Sequence, residues 1–211
     1  SDLNVKSISV SGTLSDQSAQ VMEDFSIGSN LASSKAIVVD GLLPTIANVK
    51  STSTNTTYGT GGEINITVNF SEAVTLSSGG SVSVTLETGS TDRTVSITSV
   101  SNATSATGTY TVQDGDGSAD LAVNSISLSS GATLKDAAGN SMSDFSVPAD
   151  SNLNDNNDIV INTTKPGVPT EFVVSSNYGS VGLSWKAVSG AIKYQVYRSE
   201  TTSNFSVLNN N

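Results

Sequence analysis

Carboxylates carry most of the chemistry this chain could do. The run Asp114-Gly115-Asp116-Gly117-Ser118-Ala119-Asp120 places oxygens at alternate positions. Calcium takes six to eight hard oxygens at about 2.3–2.6 Å, and a glycine-containing loop can wrap an ion that closely. Asp114, Asp116, Ser118 and Asp120 are therefore candidate calcium ligands. The spacing matches the start of an EF-hand loop, but no Glu stands at the twelfth position. A polar hairpin held by Asx-turns explains the same residues. A second run, Asn152-Leu153-Asn154-Asp155-Asn156-Asn157-Asp158, offers Asp155 and Asp158. Asp40, Glu72 and Asp136 join that run if loops of neighbouring units meet; a solvated loop is the plainer account. Glycoside hydrolysis needs two acids pinned across a cleft. Nothing in the spacing pins such a pair, and aromatics for stacking on sugar are only 5% of residues.

The inventory excludes other chemistry. There is no Cys and no His among the 211 residues. A thiol nucleophile, a disulfide framework, an ordinary zinc site and a Ser-His-Asp triad are thereby ruled out. The net charge is −10. Phosphate backbones and anionic bilayers need clustered Lys and Arg, so nucleic acid and membrane are not expected as partners. No apolar run reaches membrane-span length, and no signal-like apolar run stands at the start. The start falls inside a repeat, so an internal segment of a longer protein is expected. The expectation is a protein that is not an enzyme, with calcium as its one candidate cofactor.

The elements that must position these acids read as strands. Ile64 to Phe70 alternates four apolar side chains with polar ones, and Val82 to Leu86 alternates three. Val95-Ser96-Ile97, Tyr110-Thr111-Val112, Leu121-Ala122-Val123 and Ile126-Ser127-Leu128 continue the pattern. A period of two means strands with one buried face. Between them lie turn residues such as Gly61-Gly62, Gly79-Gly80 and Ala138-Gly139-Asn140. About seven such strands predict a two-sheet sandwich. A short turn of helix is expected near Ser71-Glu72-Ala73 or Asp136-Ala137-Ala138. Charged residues are 13%, and Ser, Thr, Asn and Gly fill the remainder, which suits sheets with one wet face. Six Asn-x-Ser/Thr sequons occur, at Asn55, Asn65, Asn69, Asn102, Asn162 and Asn204. A chain this rich in those residues makes them by chance, and Asn65 and Asn69 should point outward from their strand.

The chain also repeats itself. Ser1-Asp2-Leu3…Ile8-Ser9-Val10 returns as Ala119-Asp120-Leu121…Ile126-Ser127-Leu128. Leu14-Ser15-Asp16 returns as Leu134-Lys135-Asp136, and Met22…Asp24-Phe25-Ser26 as Met142…Asp144-Phe145-Ser146. Ile37-Val38-Val39-Asp40 returns as Ile159-Val160-Ile161-Asn162, and Pro44 as Pro166. A period this long is a whole domain rather than a solenoid coil. Proline fixes its own φ and donates no ladder bond, so Pro44 and Pro166 mark junctions. The boundaries are then 1–43, 44–165 and 166–211. In the first copy, Asn30 to Ala36 carries a Lys and no acid, so it cannot bind calcium as Asn152 to Asp158 would.

Two resemblances follow from these residues. Val68-Asn69-Phe70-Ser71-Glu72-Ala73-Val74, Gly108-Thr109-Tyr110-Thr111-Val112 and Leu134-Lys135-Asp136-Ala137-Ala138-Gly139-Asn140 resemble the bacterial immunoglobulin-like repeat of giant surface adhesins. The likeness covers roughly residues 1–165. Ala73 stands where that family often has Pro, and the first-copy turn Leu14 to Gln20 lacks Gly. Residues 166–211, with Pro169, Leu183-Ser184-Trp185 and Tyr194-Gln195-Val196-Tyr197, resemble the front half of a fibronectin type III domain. The resemblance implies an all-β fold of tandem immunoglobulin-like β-sandwiches with a partial copy at each end. It implies an extracellular, cell-surface stalk or spacer that works in adhesion. Its partners would be neighbouring domains of the same or adjacent chains and a cell-surface or carbohydrate receptor. In tandem repeats of cadherin type, calcium stiffens such junctions. Two other functions stay open: a subunit of a self-assembling surface layer, filament or phage fibre, and an accessory module of a secreted hydrolase. The partial copies need covering, either by a longer chain or by strand donation between subunits.

Overall fold

A computed structural model describes residues 3–35, 37–199 and 206–207. Ser1 and Asp2 of the repeat, Ala36 and the Asn204-Phe205 part of the last sequon lie outside the described residues. A single helical turn, α1 (Leu31–Ser34), comes first. The strands β1 (Ile46–Lys50), β2 (Thr57–Tyr58), β3 (Glu63–Leu76), β4 (Val82–Leu86) and β5 (Arg93–Ile97) follow. Next come β6 (Ala103–Thr111), β7 (Gly117–Ser118), β8 (Val123–Leu128) and β9 (Leu134–Lys135). A second helical turn, α2 (Leu153–Asn156), precedes β10 (Val160–Asn162). The tail carries β11 (Thr170–Asn177), β12 (Ser180–Lys186), β13 (Tyr197–Arg198) and β14 (Ser206–Val207). The described chain is all-β apart from the two short turns.

Alternation places the core. Along β3, Ile64, Ile66, Val68 and Phe70 are buried while the residues between them are not. In β4 the same period buries Val82, Val84 and Leu86. β1, β3 and β6 form one antiparallel sheet, with β9 pairing the far end of β3. β5, β4 and β8 form another, and β2, β10 and β7 a third small one. Their inward side chains make one apolar cluster running from Ile46 to Ile161. Each fully buried Ile, Leu or Val contributes about 1.5–3 kcal/mol. Gly108 on β6 lets the sheets close. A Cβ there would stand 2.4 Å from Val95 Cγ1 and 3.0 Å from Ile97 Cγ1 of β5.

Several expectations change. Ser71-Glu72-Ala73 is not helical; it is the irregular stretch of β3 where the register against β6 shifts between Asn69 and Val74. Asp136 to Gly139 forms a turn rather than a helix. The helical turns sit instead at Leu31–Ser34 and Leu153–Asn156, each opened by an Asn whose side chain accepts from the first helical N–H. The alternating run Ile192-Lys193-Tyr194-Gln195-Val196-Tyr197-Arg198 predicts a strand, but only the two-residue β13 forms, paired with β14. A strand needs a ladder partner, and Tyr194 instead accepts the Val188 N–H on its hydroxyl at 2.6 Å. Asn65 and Asn69 lie on the outer face of β3 as expected, but neither is free. Asn65 accepts from Thr109 Oγ1 at 3.1 Å, and Asn69 donates to Asn48 at 2.8 Å.

Several hydrogen bonds of the internal repeat recur in both copies. Leu3 N donates to Ile37 O, and Leu121 N to Ile159 O. Asn30 exchanges two side-chain bonds with the Val5 backbone, and Asn152 does the same with Val123, all at 2.9 Å. Met22 N donates to Leu14 O and Met142 N to Leu134 O, both at 2.8 Å. Asp16 closes a turn on Gln20 as Asp136 does on Asn140. Side-chain burial does not return. None of the described residues 3–43 is buried, nor any in 162–199. Phe172, Trp185 and Tyr194 cluster by stacking and edge contact, yet Phe172 and Tyr194 stay exposed.

Candidate metal centre

Three acids converge where residue 40 meets the core domain. The carboxylate oxygens of Asp40, Glu72 and Asp136 all lie within 4.8 Å of one another. Two oxygens sharing one calcium at about 2.4 Å can be at most about 4.8 Å apart, so the spread fits a single ion. Glu72 comes from the irregular stretch of β3 and is half-buried. Asp136 follows β9 directly and is 8% exposed. Asp40 follows the first copy's last apolar run and is exposed.

Local chemistry orients them. Asp136 Oδ1 accepts the Asn140 N–H and Oδ2 accepts Asn140 Nδ2, both at 2.8 Å. Gly139 makes that turn possible, with φ +94°. The Asn140 amide also donates to the Asp40 carbonyl at 3.2 Å, so one side chain ties the turn to the incoming segment. Asp40 Oδ1 accepts the Leu42 N–H at 3.1 Å. Thr45 N donates to Ser71 Oγ and Ser71 N to Thr45 O, which fixes the chain beside Glu72.

Charge is concentrated here. Burial, then Asp136 and Asp40, push the Glu72 carboxyl above its ordinary value. Burial also works against the charge on Asp136, but the bonds from the Asn140 side chain and from the backbone of Asn140, Gly139 and Ala138 outweigh it. Its carboxyl is held below the usual range. Three like charges within this distance repel one another, and a bound cation reverses the sign of that interaction.

The other candidate ligands lie elsewhere. Asp116 is buried at 2% exposure and both its oxygens have protein partners. Oδ1 accepts Arg93 Nε at 2.8 Å; Oδ2 accepts the Tyr110 hydroxyl at 2.6 Å and the Gln113 N–H at 2.8 Å. Burial opposes its charge, yet the bonds from Tyr110, Gln113 and Arg93 hold its carboxyl below the ordinary value. Burial and the same carboxylate push the Tyr110 hydroxyl well up. Asp114 pairs with Lys165 Nζ at 2.9 Å on the surface. Ser118 sits in β7 opposite Ile161, and Asp120 is exposed. Among the described residues, these acids do not form a ligand group with Asp116. Asp155 closes a capping box by accepting the Asn152 N–H at 2.8 Å, and Asp158 is exposed. The run from Asn152 to Asp158 does not join Asp40, Glu72 and Asp136. It is tied to Ser51 and Asn55 through Asn157, beyond the far end of β1 from Thr45.

The Arg93–Asp116–Tyr110 network was not legible as such, because its members are separated by 23 and 6 positions. Comparison with protein-family models, with curated proteins and with solved structures returned no match.

Proposed function

We propose that this chain is a non-catalytic repeat segment of a large extracellular surface protein, serving as stalk or spacer in adhesion. Residues 44–165 are its complete immunoglobulin-like sandwich, 1–43 the back part of another copy, and 166–211 the front of a fibronectin type III-like unit. The junction at residues 40–44 is braced by calcium held by Asp40, Glu72 and Asp136, with Asn140 linking the two sides. A brace of this kind limits bending between units, which is what a spacer needs to keep its reach.

The observation that carries the reading is the recurrence, in residues 121–159, of several hydrogen bonds of residues 3–37. A repeated hydrogen-bond pattern in series, with a buried core that runs from Ile46 to Ile161 among the described residues, suits a load-bearing string. The convergence of acids from both sides of the junction supports the calcium part.

Thermal unfolding with calcium and with excess chelator is the test. Calcium at about 100 times its dissociation constant adds about 2.7 kcal/mol to the folded state. The midpoint should rise in calcium, and Glu72→Gln should abolish the rise. An unchanged midpoint, or a rise that Glu72→Gln leaves intact, removes calcium from the junction.

A further inference from the structure

We propose that the exposed apolar side chains of residues 3–35 and 37–39 form a docking face for a set of strands of the kind formed by residues 46–118, carried in series with that face. This deepens the tandem-repeat reading above and rests on it.

The second copy says what covers such a face. Leu3, Val5, Ile8, Leu14, Met22 and Ile37 are 38–53% exposed, while their counterparts Leu121, Val123, Ile126, Leu134, Met142 and Ile159 are 0–7% exposed. The counterparts are buried in one cluster with Ile64, Ile66, Val68 and Tyr110 of β3 and β6. Several of the hydrogen bonds that hold the two segments recur, including the Asn30 and Asn152 latches. An exposed set of large apolar side chains of this kind marks an interaction site, and the repeat specifies the chemistry of its occupant: alternating Ile and Val on antiparallel strands.

Connectivity selects the source. In the complete copy the covering strands pack on and pair with the covered segment, β4 with β8 and β7 with β10, and the chain passes from the end of β7 to Leu121 in three residues. The occupant's last strand therefore lies next to Leu3. A second copy of this chain is a poor donor, because its own residues 46–112 are already covered by 121–161.

The experiment places an additional copy of residues 44–118 directly ahead of Ser1 in the full chain and follows amide hydrogen exchange. Leu121 and Met142 amides serve as internal reference for the existing core. Exchange at the Leu3 and Met22 amides should slow by about a hundredfold or more as they enter a cooperative unit, and binding of a hydrophobic dye should fall. The same extension carrying Ile64→Asp and Val68→Asp in the added layer alone should leave both readouts as in the parent chain. If the intact layer changes neither readout while Leu121 and Met142 stay protected, the inference is overturned. It is also overturned in its source if the parent chain sediments as a dimer with Leu3 and Met22 already protected. A failure here with the calcium response of the junction intact removes the docking face, and with it residues 1–43 as part of a second sandwich, and leaves the calcium-braced spacer standing.

Discussion

Replacing Asp116 by Asn tests the interior of the core domain most directly. The carboxylate serves three donors: Arg93 Nε, the Tyr110 hydroxyl and the Gln113 N–H. Asn keeps the shape but brings one NH₂ in place of an acceptor. Whichever way it turns, that group faces either Arg93 or the Gln113 N–H, and neither can accept. The negative charge opposing Arg93 is lost as well, and the arginine side chain is only 25% exposed. Breaking a buried pair by removing one partner costs about 3–5 kcal/mol. Domains of this size hold about 5–15 kcal/mol, so the variant stays folded in the cold and melts early. Tyr110→Phe removes a single bond to a charged group and should cost about 1.5–3 kcal/mol. At about 3–5 °C per kcal/mol, it lowers the midpoint by about 5–15 °C. Urea unfolding of the two variants and of the double variant gives the coupling energy directly. The acid limb carries a further signature. A carboxyl held below its ordinary value of 3.8 contributes stability that is present above that value and is lost as pH falls through the lower folded value. Asp116→Asn should flatten that limb. Its cost should also be equal in calcium and in chelator. A loss under about 0.5 kcal/mol, within the range of ordinary surface substitutions, or one confined to calcium, would refute the structural role of Asp116.

Other outcomes follow from single contacts. Gly108→Ala drives a Cβ against Val95 and Ile97; overpacking of this kind costs about 1–3 kcal/mol, read by urea midpoint. Gly139→Ala forces a side chain into φ +94° beside Asp136 and should cost about 1–2 kcal/mol while weakening any calcium response. Ala19 holds the matching first-copy position at φ +60°, so Ala19→Gly should slow exchange at the Gln20 amide. Glu72 has the opposite sign to most acids: its raised folded value means stability without cation falls as pH rises through the range between its ordinary and folded values. Melting curves in chelator across the acid range should show that loss, and Glu72→Gln should remove it.

Period-two patterning located parts of the long strands, and of β6 it marked only Tyr110 and Thr111. Val82–Leu86 is read with its own ends, and Ile64–Phe70 is the centre of β3. It was not enough for β2, β7 and β9, which have two residues each and so no period to detect. Ile126–Leu128 and the Val123 end of the run Leu121–Val123 join in β8 because β4 pairs across the interval, with a register shift between Thr85 and Leu86. Ser71 to Ala73 looked helical because a bulge interrupts alternation as a turn does. Among the acids, alternate spacing in one loop favoured Asp114, Asp116, Ser118 and Asp120. That spacing places the side chains close in sequence and says nothing of whether their oxygens are already engaged.

The amino-acid sequence by itself determined the all-β character, the domain-length repeat and the chemistry excluded by the missing Cys and His. These depend on composition and on short-range periodicity, which are properties of the chain before it folds. Only the tertiary structure decided which acids meet. Asp40, Glu72 and Asp136 are separated by 32 and 64 positions and are brought within 4.8 Å by β3, β9 and the incoming segment. Only it decided that Asp116 turns inward, because the burial of one carboxylate depends on Arg93 and Tyr110 arriving from other strands at the same point.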